Sequence, residues 1–412
     1  MVGTSRRKTL HRRKEFSTIS VFRFNTLTCQ QVDLPQAGFR ERGKRVHTAP
    51  KFDSIREIFS PEILGREVLE ADHDLLALPV KKGGLALSDP VQTTKASFNT
   101  SKSATKVLQE AIKIGEELNV AAHLTHCHNV LREARKAKEE RHSLILAELL
   151  NKMPAGKKRT LTRILKGEAS GWLSVLPLRD EGFDLSVTQF RDQLAIRYHQ
   201  EPVALPSVCD GCGAAFSLQH GLDCMKGGLI KKGHNSVRDN DAALAEMAWG
   251  GVTIEPVLIP ENDRTGHPAL QADWMVRGVW EGVRVAFFDN RVIDADAPSY
   301  VRSNLSWEAI SKRAANEKKA KYSYIAEELR GTITPLVCST DCVLHAEYAS
   351  FQRRLASQLA AKWDKPYSVV IAWVRTRTQF SIIRAVDLRL RGTRRKVYGI
   401  PFQDGAAVGA LI

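Results

Sequence analysis

Four residues with metal-binding side chains fall within a short stretch: Cys209, Cys212, His220 and Cys224, spaced C-x2-C-x7-H-x4-C. Thiolates and an imidazole are what a tetrahedral zinc ion takes. Gly211 and Gly213 flank the second cysteine and give the backbone the freedom a tight turn around a metal needs. His220 and Cys224 lie four apart, so one helical turn puts both on the same face. A chance run of buried cysteines is the competing reading. The order of ligand types and the flanking glycines favour a CCHC zinc knuckle over residues 206–228.

A second kind of chemistry follows. Glu255, Asp273 and Asp289 each sit in an apolar, β-rich run, at residues 252–259, 270–276 and 283–293. Neighbouring strands can bring such carboxylates to one edge. An oxygen-rich cleft of this kind suits magnesium or manganese. On a phosphodiester, the ion would polarise a phosphoryl oxygen and help generate the attacking hydroxide. A nearby cation would stabilise the developing charge. The plain alternatives are that Asp273 and Asp289 close strands, and that Glu255 marks a strand exit before Pro256.

These residues need elements to position them. His234-Asn235 open a helix through Val237, Leu244 and Met247 that ends at Gly250-Gly251. After the three strands come charged helices at 305–329 and 344–362, a strand at 368–374, and a closing basic helix with Arg375, Arg377, Arg384, Arg389 and Arg391. The pattern predicts a mixed α/β or α+β fold, with a mixed sheet flanked by helices.

The upstream half is mostly helical. A capped start lies at residues 53–59, a tight Gly83-Gly84 connection follows Leu76, and residues 103–150 read as one long helix or a helical hairpin. Gly83-Gly84 lacks the Gly-Lys-Ser/Thr ending of a phosphate-cradling loop. His123, His126, Cys127 and His128 read as surface residues, with no second ligand pair at a conventional spacing. Cys338, Cys342 and His345 lack a fourth ligand and read as structural or incidental. Pro202 and Pro206 form a linker into the knuckle.

The expected organisation is therefore a basic tail over 1–50, a helical region over 51–200, the knuckle over 206–228, an α+β domain over 229–398 and a tail over 399–412. Sixty-one Lys plus Arg against 46 Asp plus Glu give the 412 residues a formal charge of +15, which favours polyanionic partners. No apolar run approaches the ~20 residues of a membrane span. Seven cysteines, three of them in the knuckle, suggest a reducing compartment. The basic run from Arg6 to Lys14 lacks a following apolar stretch, so it is no secretory signal and points to the nucleus. Residues up to Val46 show no periodicity and read as a mobile tail.

Ala272-Asp273, with Asp289-Asn290-Arg291 sixteen residues later, resembles the proline-aspartate, acid-x-lysine signature of restriction-like endonucleases. Its position after the knuckle and His234-Asn235 is similar to the carboxyl end of non-LTR retrotransposon polyproteins, whose endonuclease nicks target DNA to prime reverse transcription. Upstream, Leu78-Pro79-Val80-Lys81-Lys82-Gly83-Gly84-Leu85 and Gly171-Trp172-Leu173-Ser174-Val175-Leu176-Pro177-Leu178 resemble segments after the polymerase palm. No aromatic-x-Asp-Asp sequence of the palm itself occurs.

The resemblance implies zinc in the knuckle, magnesium or manganese on Asp273, Asp289 and Glu255, DNA as partner with element RNA as a further one, and no membrane. Three departures stand out: Ala272 for the proline, Gly233 for an arginine before His-Asn, and Arg291 for the lysine. Arginine keeps its proton, so Arg291 could stabilise charge but would be a poor base. In the retrotransposon branch the lysine comes from a following helix, where Lys321 is preferred to Lys318. His234, Asn235, Arg238, Lys318, Arg375 and Arg377 are the expected nucleic-acid contacts. The expectation is a DNA endonuclease; the alternative is a catalytically inactive, nucleic-acid-binding remnant.

Overall fold

The computed structural model describes residues 55–88, 90–261 and 268–395, as two compact units that meet in sequence at Lys158. The basic run, the N-terminal tail and the tail over 399–412 lie outside the described residues.

The first unit is helical: α1 (Ser60–Leu64), α2 (Glu70–Ala77), α3 (Pro90–Ala104), α4 (Lys106–Ile114) and α5 (Val120–Lys152). The stretch 103–150 is thus a hairpin. Gly115, at φ +79°, ends α4, and the Asn119 side chain accepts from the Ala122 N–H to start α5. His126 and Cys127 pin α5 to the end of α3, at 2.9 Å from the Ser103 carbonyl and 3.0 Å from that of Ala104. Leu75, Leu76, Leu78 and Leu85 are buried around the glycine connection. A Cβ on Gly84 would fall 1.9 Å from the Leu78 carbonyl oxygen, so only glycine fits that turn.

Helix α6 (Ala155–Lys166) leads into the second unit, which adds α7 (Val187–Arg197), α8 (Leu218–Asp223) and α9 (Leu229–Trp249). Next come β1 (Thr253–Ile254), β2 (Val257–Ile259), β3 (Leu270–Gln271), β4 (Trp274–Arg277), β5 (Val285–Ile293), α10 (Pro298–Arg302), α11 (Trp307–Glu328), β6 (Gly331–Ser339), α12 (Ala346–Trp363) and α13 (Tyr367–Arg391). The main sheet runs β1-β4-β5-β6, antiparallel except for the parallel β5–β6 pair that α11 connects, and β2 pairs with β3 separately. The fold is mixed α+β, as the pattern predicted. No helix among the described residues is long and apolar enough to cross a membrane.

Alternation along the strands gives the sheet two apolar faces. On one, Trp274 stacks on Phe288 at 3.9 Å and both pack against Phe351 of α12. On the other, Ala272 and Phe287 pack with Leu258 and with Tyr322 and Ala326 of α11. The strand expected at 368–374 is instead the start of α13. Buried Val370, Ile371, Val374, Thr378 and Ile382 follow a helical period that a seven-residue apolar window does not reveal. The fourth strand is β6, in which Pro335 is tolerated because β6 lies at the sheet edge.

Candidate metal centre and acidic centre

A short hairpin builds the knuckle. Val208 bridges Ala215, the Cys209 N–H donates to the Ala214 carbonyl at 2.8 Å, and Gly213 turns the chain at φ +76°. Ser217 caps α8 by accepting from the His220 N–H, and the Cys224 N–H donates to the His220 carbonyl at 2.9 Å. Together these bring four ligand atoms within 4.8 Å of one another. The Sγ of Cys224 lies 3.8 Å from that of Cys209 and 4.0 Å from that of Cys212, whose Sγ is 3.3 Å from His220 Nε2. A tetrahedron with bonds of ~2.3 Å has edges of about 3.8 Å, so the cluster is sized to hold a metal ion such as zinc. Burial raises the Cys209 thiol, but the Gly211 and Cys212 N–H groups and His220 outweigh it and bring it to about 6, which favours the thiolate a metal needs. Among the described residues, no other such cluster of three or more His, Cys, Asp or Glu side chains occurs.

The knuckle is fastened to the end of α13. Asp210 accepts from the Thr393 hydroxyl at 2.8 Å and the Arg394 N–H at 2.9 Å. Buried Arg394 donates to the carbonyls of Gly221, at 3.0 Å, and Arg389, and lies over the Phe216 ring. A Cβ on Gly211 would sit 2.6 Å from Arg394 Cβ, and one on Gly221 would sit 2.8 Å from Leu390 Cδ2. These glycines are needed as much for that close approach as for the metal loop.

The acidic centre lies where β4–β5 pairing ends. The last paired residues are Trp274 and Phe288; beyond them the Asp273 N–H donates to the Phe288 carbonyl at 3.0 Å. The Asn290 N–H points toward β4, and the Asp273 side chain captures it at 2.6 Å through Oδ2. His234, from the first turns of α9, holds Asp273 Oδ1 at 3.0 Å. Asp289 is buried one residue before Asn290, and Lys318 of α11 places Nζ 2.6 Å from its Oδ1. Burial pushes the Asp289 carboxyl up, and the charge of Asp273 adds to it; Lys318 and the Tyr322 hydroxyl oppose both.

The other expected residues are distributed around this pair. The Glu255 N–H donates to the Asp273 carbonyl at 2.8 Å, but its half-exposed carboxylate is drawn to Arg238 at 2.6 Å. Of the three acids expected within strands only Asp289 is in one; Glu255 follows β1 and Asp273 precedes β4, beside the adjacent β5, and the Glu255 carboxylate is directed away to α9. Lys321 reaches the Tyr322 hydroxyl at 3.0 Å, and of the two candidate lysines it is Lys318 that contacts Asp289. Arg291 pairs with Glu317 of α11 at 2.7 Å. On α13, Arg375 pairs with Glu168 at 2.7 Å and Arg377 lies over the Trp373 ring. Asn235 is the next residue of α9 after His234. Gly233 packs on α13, where a Cβ would come 3.0 Å from the Ala385 carbonyl, so any side chain there would press on that helix.

A polar network behind the acids gives no sign in the sequence. Asn290 Nδ2 donates to Asp241 of α9 at 2.7 Å, and Asn290 Oδ1 accepts from the Trp274 indole at 3.1 Å. Tyr348 of α12 also donates to Asp241. Burial raises the Asp241 carboxyl to about 7, against hydrogen bonds from Tyr348, Asn290 and Asn240. Isolated polar residues in apolar runs were the available signal, but nothing in their spacing links them. No family model matches the chain, and no curated protein matches it.

Proposed function

We propose that the second unit is a metal-dependent DNA endonuclease of the restriction-like type, derived from a non-LTR retrotransposon protein and carrying a zinc knuckle. The observation that carries this reading is that Asp273, just ahead of β4, holds the Asn290 N–H beside Asp289 in the adjacent β5, with Lys318 from the connecting helix on Asp289. That is where the resemblance expects two acids and a helix-borne lysine. The donor set fits a hard cation: magnesium is commonly held by one or two carboxylates, with water and substrate phosphate completing its shell. Asp273 and Asp289 would hold it, and Glu255 would join on release from Arg238. A bound divalent ion supplies charge neutralisation at the phosphoryl oxygens and a more acidic attacking water.

The chain's own residues do the positioning. His234 and the Asn290 N–H fix both oxygens of Asp273. Lys318 neutralises Asp289 in the resting protein and offers its ammonium to the scissile phosphate when the substrate arrives. Arg291, two residues beyond Asp289, exchanges Glu317 for a neighbouring phosphate. The net charge of +15 draws the polyanion in, with binding that weakens steeply as salt rises.

One observation favours the second reading, an inactive nucleic-acid-binding remnant: all three carboxylates are already engaged by His234, Lys318 or Arg238. Nicking of supercoiled plasmid by the full chain with magnesium or manganese decides between them. Metal-dependent cleavage that is lost in Asp273→Asn and Asp289→Asn supports the nuclease. DNA binding without cleavage by the folded, zinc-loaded protein leaves the remnant.

A further inference from the structure

We propose that Asn290, Asp241 and Tyr348 are positioning residues of the acidic centre, acting as a buried hydrogen-bond relay that sets the Asp289–Asn290 peptide from behind the sheet. The proposal rests on the nuclease reading and names residues to which the resemblance gives no role.

The argument begins with cost. Asn290, Asp241 and Tyr348 are 1%, 1% and 0% exposed, on the face that also buries Trp274, Phe288 and Phe351. Apolar side chains would fill that space without needing partners, and such replacements often leave stability unchanged or raise it. The polar set is instead fully engaged. The Trp274 indole can only donate, so it fixes Asn290 Oδ1 as the acceptor and turns Nδ2 toward Asp241. Asp241 Oδ2 then accepts from both Asn290 and Tyr348, which joins α9, β5 and α12 at one oxygen.

The relay ends at the chemistry. Regular β4–β5 pairing stops at Trp274 and Phe288, so no backbone carbonyl of β4 receives the Asn290 N–H. That N–H donates to Asp273 Oδ2 at 2.6 Å. The other half of the same peptide belongs to Asp289, whose carboxylate meets Lys318 on the opposite face. With its side chain clamped between Trp274 and Asp241, Asn290 cannot rotate this peptide. Asp289 and Asn290 are paired with Pro335 and Leu336 of β6 on one side, and on the β4 side, where no ladder bond continues, the relay and the Asp273 contact keep the two acids in their relative orientation. Sub-ångström placement of such groups is worth large rate factors.

The test uses the full chain and two readouts: Mn2+ binding followed by electron paramagnetic resonance without DNA, and plasmid nicking resolved into kcat and KM. Asn290→Ala and Asp241→Leu break the relay. Asp241→Asn keeps an acceptor oxygen for both donors and serves as the conservative rescue. Gln379→Met is the control for general destabilisation, since it removes the buried acceptor of the Trp172 N–H at 2.9 Å, in a separate hydrogen-bonded contact of α13. We expect Asn290→Ala and Asp241→Leu to lose about tenfold in both Mn2+ affinity and kcat, with KM for DNA within twofold, a step of about 1.4 kcal/mol. Asp241→Asn and Gln379→Met should stay within threefold of the wild type. Wild-type cleavage with Asn290→Ala indistinguishable from Gln379→Met in both readouts overturns the relay alone. A wild type that neither binds Mn2+ nor cuts overturns the nuclease reading with it.

Discussion

The contacts between knuckle and helix α13 predict that metal binding stabilises the whole second unit. Arg394 is the residue to perturb. It is 5% exposed, its guanidinium donates to the carbonyls of Gly221 and Arg389, and it lies 5.2 Å from the Phe216 ring centre. Hydrogen bonds to charged groups contribute about 1.5–3 kcal/mol each, and a desolvated cation–π contact about 1–2 kcal/mol. Truncation to alanine also leaves two carbonyls short of a donor, but water can reach part of the vacated space. We take about 3 kcal/mol for Arg394→Ala. For a unit of this size, ~2–4 °C per kcal/mol gives a fall in Tm of about 6–12 °C. Zinc held a thousandfold above its Kd adds about 4 kcal/mol to a folded state that binds it.

The decisive quantity is the interaction between the two perturbations. Thermal unfolding by circular dichroism is measured for wild type and Arg394→Ala, each with zinc and with a chelator. If the knuckle and the end of α13 form one cooperative piece, chelation costs the variant at least 1 kcal/mol less than the wild type, because part of the contact is already lost. Independent elements would add to within about 0.3–0.5 kcal/mol. Additivity, or a wild-type Tm indifferent to chelation, would refute the clamp and return the knuckle to a loosely attached module.

Further outcomes follow from the same geometry. Lys318→Ala should lower nicking by about 10²–10³, while Lys321→Ala stays within tenfold, since of the two it is Lys318 that contacts Asp289; equal losses would remove the distinction. Gly233→Ala should cost about 1–3 kcal/mol in urea unfolding, because its Cβ meets the Ala385 carbonyl at 3.0 Å, and Gly233→Arg should cost more. An unchanged midpoint for both would contradict the packing. Asp241 gives a pH signature. Its folded pKa of about 7 lies above its unfolded value, so between those values the folded state binds more protons and stability falls as pH rises. The slope contributed is at most about 1.4 kcal/mol per pH unit, and Asp241→Asn should flatten the wild-type curve between about pH 4 and 7; parallel curves for the two proteins would refute the assignment.

The four candidate metal ligands were legible because the cluster is local. Cys209, Cys212, His220 and Cys224 lie within one hairpin and one helical turn, so spacing and the Gly213 turn suffice to bring them together. The strand that follows Asp273 and the one that carries Asp289 were legible from their apolar runs, and the α+β class followed. Short windows failed where neighbours decide: 368–374 is helix because α13 buries one stripe against α9, α12 and the knuckle, and Pro335 sits in a strand because β6 is an edge.

What only the tertiary structure decided is which partner each functional side chain takes. Sequence places Lys318 and Lys321 on one helix but cannot say which reaches Asp289, because that depends on the rotation of α11 over the sheet. Nor can it join Asp241, Asn290 and Tyr348, which lie 49 and 107 positions from Asp241 along the chain and meet only when α9 and α12 close on β5. Local spacing fixes local geometry through backbone periodicity. Contacts between distant segments are set by packing, which no single stretch of chain contains.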